Sequence, residues 1–258
     1  MEPLMHRTFH LVALLFLLTA SISLYADTFL KYKKMTDSYT IGDNTVPADT
    51  STATGWIGNK QACYEDGEGH RTILTFATKT MSIIDLQEKT YTTINLDSIQ
   101  SMINSAIDEN AGDAETAAAM KSMMQGMMGT MMKGSMTVKK SDEQKKIGAW
   151  QCTKYLVDIK MVVGATTSEM WLTDQIKIDP ASFNMLKNGL MALMPGFSDI
   201  KKEIEKIKGI PVKTVSNAQA MNTTIKSTEL LLESTEKPAP QGIYSIPKGF
   251  KEKPVGSR

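Results

Sequence analysis

The chain has 258 residues, 41% apolar and 22% charged, which supports a packed interior and excludes disorder along its whole length. Its 29 basic and 28 acidic side chains leave a net charge of +1, without the concentrated cationic excess that nucleic-acid binding needs. Of three His, His6 and His10 stand in the extreme N-terminal segment, so its removal would leave His70 alone and excludes a multi-His metal site.

Residues 1–26 read as a signal peptide. His6 and Arg7 precede the apolar run Leu11–Leu18, and small and polar residues lead to Tyr25 and Ala26. The run is well short of the roughly 20 residues of a membrane span, so cleavage after Ala26 and export to the periplasm or medium are expected. No transmembrane segment is expected in the mature chain. Export places Cys63 and Cys152 in an oxidising compartment, where they either form one disulfide or stay as buried, inert thiols.

Strand patterns follow. Phe29–Met35 partly alternates, Gly55–Gly58 and Thr72–Phe76 come next, and Pro47–Thr54 reads as a loose surface loop. Thr80–Asp85 and Thr90–Ile94 flank the polar Leu86–Lys89, which predicts a hairpin. From Asp97 the period changes: Ile99, Met102, Ile103 and Ile107 recur at helical spacing, and Gly112 breaks the run before a second helix. Nine of the 19 Met fall between 102 and 136, with Met120, Met123, Met124, Met127 and Met131 crowded on one arc of that helix.

Lys139–Lys146 reads as a charged turn, and Trp150–Ile159 and Thr166–Thr173 as antiparallel strands turning at Gly164. Asp179 and Pro180 open further helices that reach 208, and strands return at Val212–Val215, Met221–Leu232 and Ile243–Ile246. The expected fold class is α+β. One domain spans 27–250, with helical insertions near 97–133 and 180–208, and a polar tail follows at 251–258.

Several phrases together resemble a known group. They are Trp56 to Lys60, Ile83 to Tyr91, Gly148 to Tyr155, Glu169 to Thr173, Lys208 to Val212 and Ile246 to Phe250. They are similar to a domain family of unknown function within the LolA-like group, periplasmic carriers related to the outer-membrane lipoprotein chaperone. The resemblance implies a large curved antiparallel sheet, an incomplete barrel, covered by helices that act as a lid over acyl chains. It also implies that Lys60 stands nearest to a basic residue that latches such a lid.

The expected function is a non-enzymatic exported binding protein holding a lipid, a lipoprotein acyl chain or another hydrophobic ligand. Met120, Met123, Met124, Met127 and Met131 would supply a soft lid, and Trp56, Trp150 and Trp171 would line a cavity on the scale of roughly several hundred Å³. Two other readings stay open: an envelope structural or protein-interaction module with a filled core, and a Cu(I) site made of Met thioethers. His70 reads as a solvated loop residue, and Glu169 and Asp174 as surface charges. No catalytic residue, cofactor or metal ligand is expected.

Overall fold

The computed structural model describes residues 26–98, 113, 115–116, 118–119, 122, 135–161, 164–179, 182, 202–220 and 223–254. Its strands are β1 (Asp27–Thr36), β2 (Tyr39–Ile41), β3 (Asn44–Val46), β4 (Asp49–Ile57), β5 (Gln61–Glu65), β6 (His70–Thr75) and β7 (Thr80–Asp85). They continue as β8 (Thr90–Asn95), β9 (Ser135–Ile147), β10 (Trp150–Met161), β11 (Gly164–Thr173), β12 (Ile210–Ala220), β13 (Thr223–Lys237) and β14 (Lys251–Glu252). Twelve of them form one sheet in the order β14-β8-β7-β6-β5-β4-β1-β13-β12-β11-β10-β9, while β2 and β3 pair separately. Every contact in the large sheet is antiparallel except β14 on β8.

The α+β expectation is therefore corrected. Among the described residues the structure is nearly all sheet, 63% strand against 7% helix, a large mixed sheet without the lid of inserted helices that the LolA-like resemblance implied; most of 97–133 and 180–201 lies outside those residues. Leu96–Ser98 forms a 3-10 turn. The half-barrel-and-lid architecture, and the lipid-binding and lipoprotein-carrier readings built on it, fall with this finding. Met120, Met123, Met124, Met127 and Met131 lie outside the described residues, as do residues 1–25 of the expected signal.

Three local readings change for physical reasons. Pro47–Thr54 is largely strand, because the Thr-rich β4 pairs with β1 from Asp49 onward and β-branched side chains suit a half-buried ladder. Lys139–Lys146 belongs to β9, an edge strand whose outer side meets water, where charge is tolerated. Ile243–Ile246 is a turn rather than a strand, and the tail does pack: Phe250 meets the core and β14 adds to β8. The β7–β8 hairpin and the antiparallel pairing of β10 with β11 stand as expected, and Gly164 is the first residue of β11; residues 162–163 lie outside the described residues.

Burial follows strand alternation, which sends neighbouring side chains to opposite faces. Phe29, Trp56, Cys63 and Ile73 lie in register across β1, β4, β5 and β6, and the segment carrying Ile243, Tyr244 and Ile246 covers this ladder. The alternate ladder Ala62, Leu74, Met81 and Ile94 packs with Phe76 and Leu96. On the other half, Val138, Tyr155, Val157 and Leu172 form a further cluster with Ile159, Met170 and Ile207.

Gly67 illustrates how tightly the turns are set, since it holds φ 81° and a Cβ there would run into the Thr52 carbonyl. Ile84 is 0% exposed and its neighbour Ile83 40% exposed, so the pair tests the alternation. Ile84→Ala is expected to cost about 2–5 kcal/mol in urea unfolding, and Ile83→Ala no more than about 0.5 kcal/mol.

Candidate functional site

The registers of β10 to β13 place Lys154, Trp171, Lys213 and Leu230 side by side, and Leu156, Glu169, Val215 and Thr228 in the next row. Cross-strand partners share a face, so these rows make one continuous surface. Opposite it lies the Val138–Tyr155–Val157 cluster. The surface holds two adjoining open grooves that share Glu169. One, of about 350 Å³, has an apolar floor of Met35, Ile147, Trp171 and Leu230, with Lys145, Lys146 and Lys213 around it. The other, of about 300 Å³, is lined by Leu156, Asp158, Val215 and Asn217 among others.

Charge on this face is partly spent. Lys154 sits between Glu169 at 3.0 Å and Glu143 at 3.4 Å, and its ammonium lies 5.7 Å from the centroid of the Trp171 ring. The Trp171 indole N–H donates to Glu169 Oε1 at 2.8 Å. The hydrogen bond from Lys154, then that from Trp171, holds the Glu169 carboxyl below the ordinary carboxylate range. The bond to Glu169 in turn raises Lys154. Lys145 and Lys146, by contrast, form no ion pair among the described residues, and both are exposed.

The residues singled out from sequence do not converge. Trp56 packs in the Phe29 ladder, its ring centroid 4.7 Å from that of Phe29, with Lys237 capping both rings at 3.7 Å from Phe29 and 5.4 Å from Trp56. Trp150 and Trp171 share a different cluster with Cys152, Leu30 and Val212, and only Trp171 also lines a groove. Lys60 is exposed in the β4–β5 turn, where its carbonyl accepts the Phe76 N–H at 2.9 Å. His70 is exposed and its Nδ1 lies 2.8 Å from Asp66 Oδ2, a local pair in the β5–β6 turn.

Cys63 and Cys152 are free and buried in separate clusters, so the disulfide alternative is not realised. Burial pushes the Cys63 thiol up to about 12. Sequence reasoning missed Lys145, Lys146, Lys213, Leu156 and Val215, and treated Glu169 as an isolated surface charge. Their alternation along β11 and β12 is visible in the sequence, but their assembly needs the strand register. Among the described residues no group of three His, Cys, Asp or Glu could hold a metal ion, and no helix is long and apolar enough to cross a membrane. No family model matches the chain, and no curated protein matches it in sequence.

Two measurements check this geometry. Both thiols are expected to resist a disulfide-exchange reagent in the native protein and to react fully after unfolding in denaturant without reductant; absence of thiol after unfolding would contradict the two free cysteines. Because the Glu169 carboxyl is depressed, its contribution is present above its ordinary value of 4.5 and is lost as pH falls through its lower native value. Trp171 emission, read in a Trp56→Phe/Trp150→Phe background, should hold steady between about pH 5 and 9 and shift below that window. Glu169→Gln should remove the acid transition.

Proposed function

We propose that this is an exported, non-enzymatic binding protein, an interaction module of the cell envelope that docks a partner protein on the open face of β10–β13. The observation that carries the reading is the pair of adjoining grooves, which places an apolar floor beside the exposed Lys145 and the half-buried Lys213 on one face of the sheet. Contiguous apolar surface rimmed by polar groups is the usual mark of an interaction site, and Leu156 on this face is 42% exposed. Export rests on the sequence alone, where the apolar run Leu11–Leu18 is of signal length and is followed by small and polar residues up to Ala26.

Photo-crosslinking in the producing cells tests both parts. A benzophenone amino acid in place of Leu156 should give one discrete protein adduct, lost in Lys213→Glu, whereas the same probe in place of Ile83 should give none. Equal adducts at both positions, or none at Leu156, would remove the docking reading. The mature protein recovered in that experiment should begin at Asp27 by mass.

A further inference from the structure

Resting on the docking reading, we infer that the partner presents a short acidic segment built around one apolar side chain, which seats in the Trp171 groove between Lys145 and Lys213. The argument is one of charge complementarity over a floor of limited size. Glu169 is committed to Lys154 and Trp171, so it does not neutralise the cations at the groove's β9 side. Lys145, paired with Cys152 and therefore on the face of Lys154 and Trp171, stands exposed on β9 with no carboxylate partner among the described residues, and the half-buried Lys213, which also feels Glu169, lines the same groove. The protein as a whole is almost neutral, so this local cationic excess is not a by-product of composition.

The floor between those lysines is apolar: Met35, Ile147, Trp171 and Leu230. A volume of about 350 Å³ stands at the bottom of the roughly 300–1,000 Å³ range of ligand sites. It suits one large side chain with its flanking backbone. Carboxylates on either side of that side chain would meet the lysines in a partly desolvated setting, where opposite charges gain more than they do in open water.

Strand addition at the sheet edges does not compete with this face. The edge of β8 is covered by β14. On β9 the Val138 N–H already donates to Glu203 Oε2 at 2.7 Å, and the pairing with β10 skips Ser141–Glu143 between Gln144 and Lys140. A second copy of the chain is disfavoured too. The two-fold register that would use all of Ser135–Ile147 is centred on Ser141, inside that break.

The test is fluorescence anisotropy on the full mature protein with three labelled pentapeptides: Asp-Glu-Phe-Asp-Glu, Asp-Glu-Ser-Asp-Glu and Lys-Lys-Phe-Lys-Lys. The first should bind, more weakly as salt rises. Replacing its Phe by Ser should weaken binding at least tenfold, and the basic peptide should not bind. Lys145→Glu, at an exposed position that leaves thermal unfolding unchanged, should cost at least tenfold, and Lys146→Glu, on the other face, should cost less. Equal binding of the first two peptides, insensitivity to the lysine change, or displacement by dodecanoate at lower concentration than by unlabelled peptide would each overturn the inference, as would self-association by sedimentation that blocks peptide binding. If the Leu156 adduct persists in Lys145→Glu, the face docks a partner but the acidic segment is wrong; if no adduct forms in any variant, the docking reading itself has failed.

Discussion

The rest of the structure depends on where β1 sits. It is hydrogen-bonded to β4 on one side and β13 on the other, so it joins the half-sheet that ends at β8 and β14 to the half-sheet that ends at β9. Its neighbour β4 follows closely in the chain, whereas β13 comes from the far end. The sheet therefore closes only when the two ends of the domain meet, a long-range contact of the kind that slows folding more than it lowers stability. The register shifts once along this seam, between Lys31 and Tyr32. There Leu231 pairs with Tyr32 and Leu232 is left over, which is why Leu231 is 3% exposed and Leu232 49% exposed.

The same seam explains how one half of the sheet is closed. Past β13 the chain folds back over the Phe29–Trp56–Cys63–Ile73 ladder and is pinned at the start of β1, where the Tyr244 hydroxyl donates to Asp27 Oδ2 at 2.9 Å. Burial, reinforced by that bond and the Asp27 charge, pushes the Tyr244 hydroxyl far above its ordinary value, so it stays a donor at any ordinary pH. Gln61 Nε2 donates to the Tyr244 carbonyl at 3.4 Å, and Gly58 has no Cβ to collide with Asp27. Beyond β13 the rows through Lys154 and Leu156 carry no comparable cover among the described residues.

How much of this is legible in the sequence depends on whether the signal is local. The β7–β8 hairpin is legible because its turn is self-contained: Asp85 Oδ1 accepts the N–H groups of Gln87 and Glu88, and Lys89 adopts φ 55°. The strand β4 is harder, since Asp49 to Thr54 is polar and exposed on one side and becomes a strand only against β1. β9 is harder still, because its charges read as a turn until β10 supplies half of its hydrogen bonds. Trp171 is visible as a candidate and Glu169 lies two residues before it on β11, but Lys213 reaches it only through the β11–β12 register. That register includes a break between Trp171 and Leu172 that no residue spacing announces.

A sheet this wide has two edges and two faces to dispose of, and the chain treats them differently. The edges are shielded by short devices: two residues of β14, one carboxylate at Val138, and lysines and a register break along β9. Such devices exclude another strand without demanding much sequence. A face cannot be shielded so cheaply, and here Glu169 ties Lys154 down over Trp171 rather than neutralising the groove. Internal pairing therefore stabilises the floor while the exposed Lys145 keeps its charge directed outward. An arrangement built only for stability would have placed a second carboxylate against Lys145; leaving it exposed beside an apolar floor is the arrangement a binding surface needs.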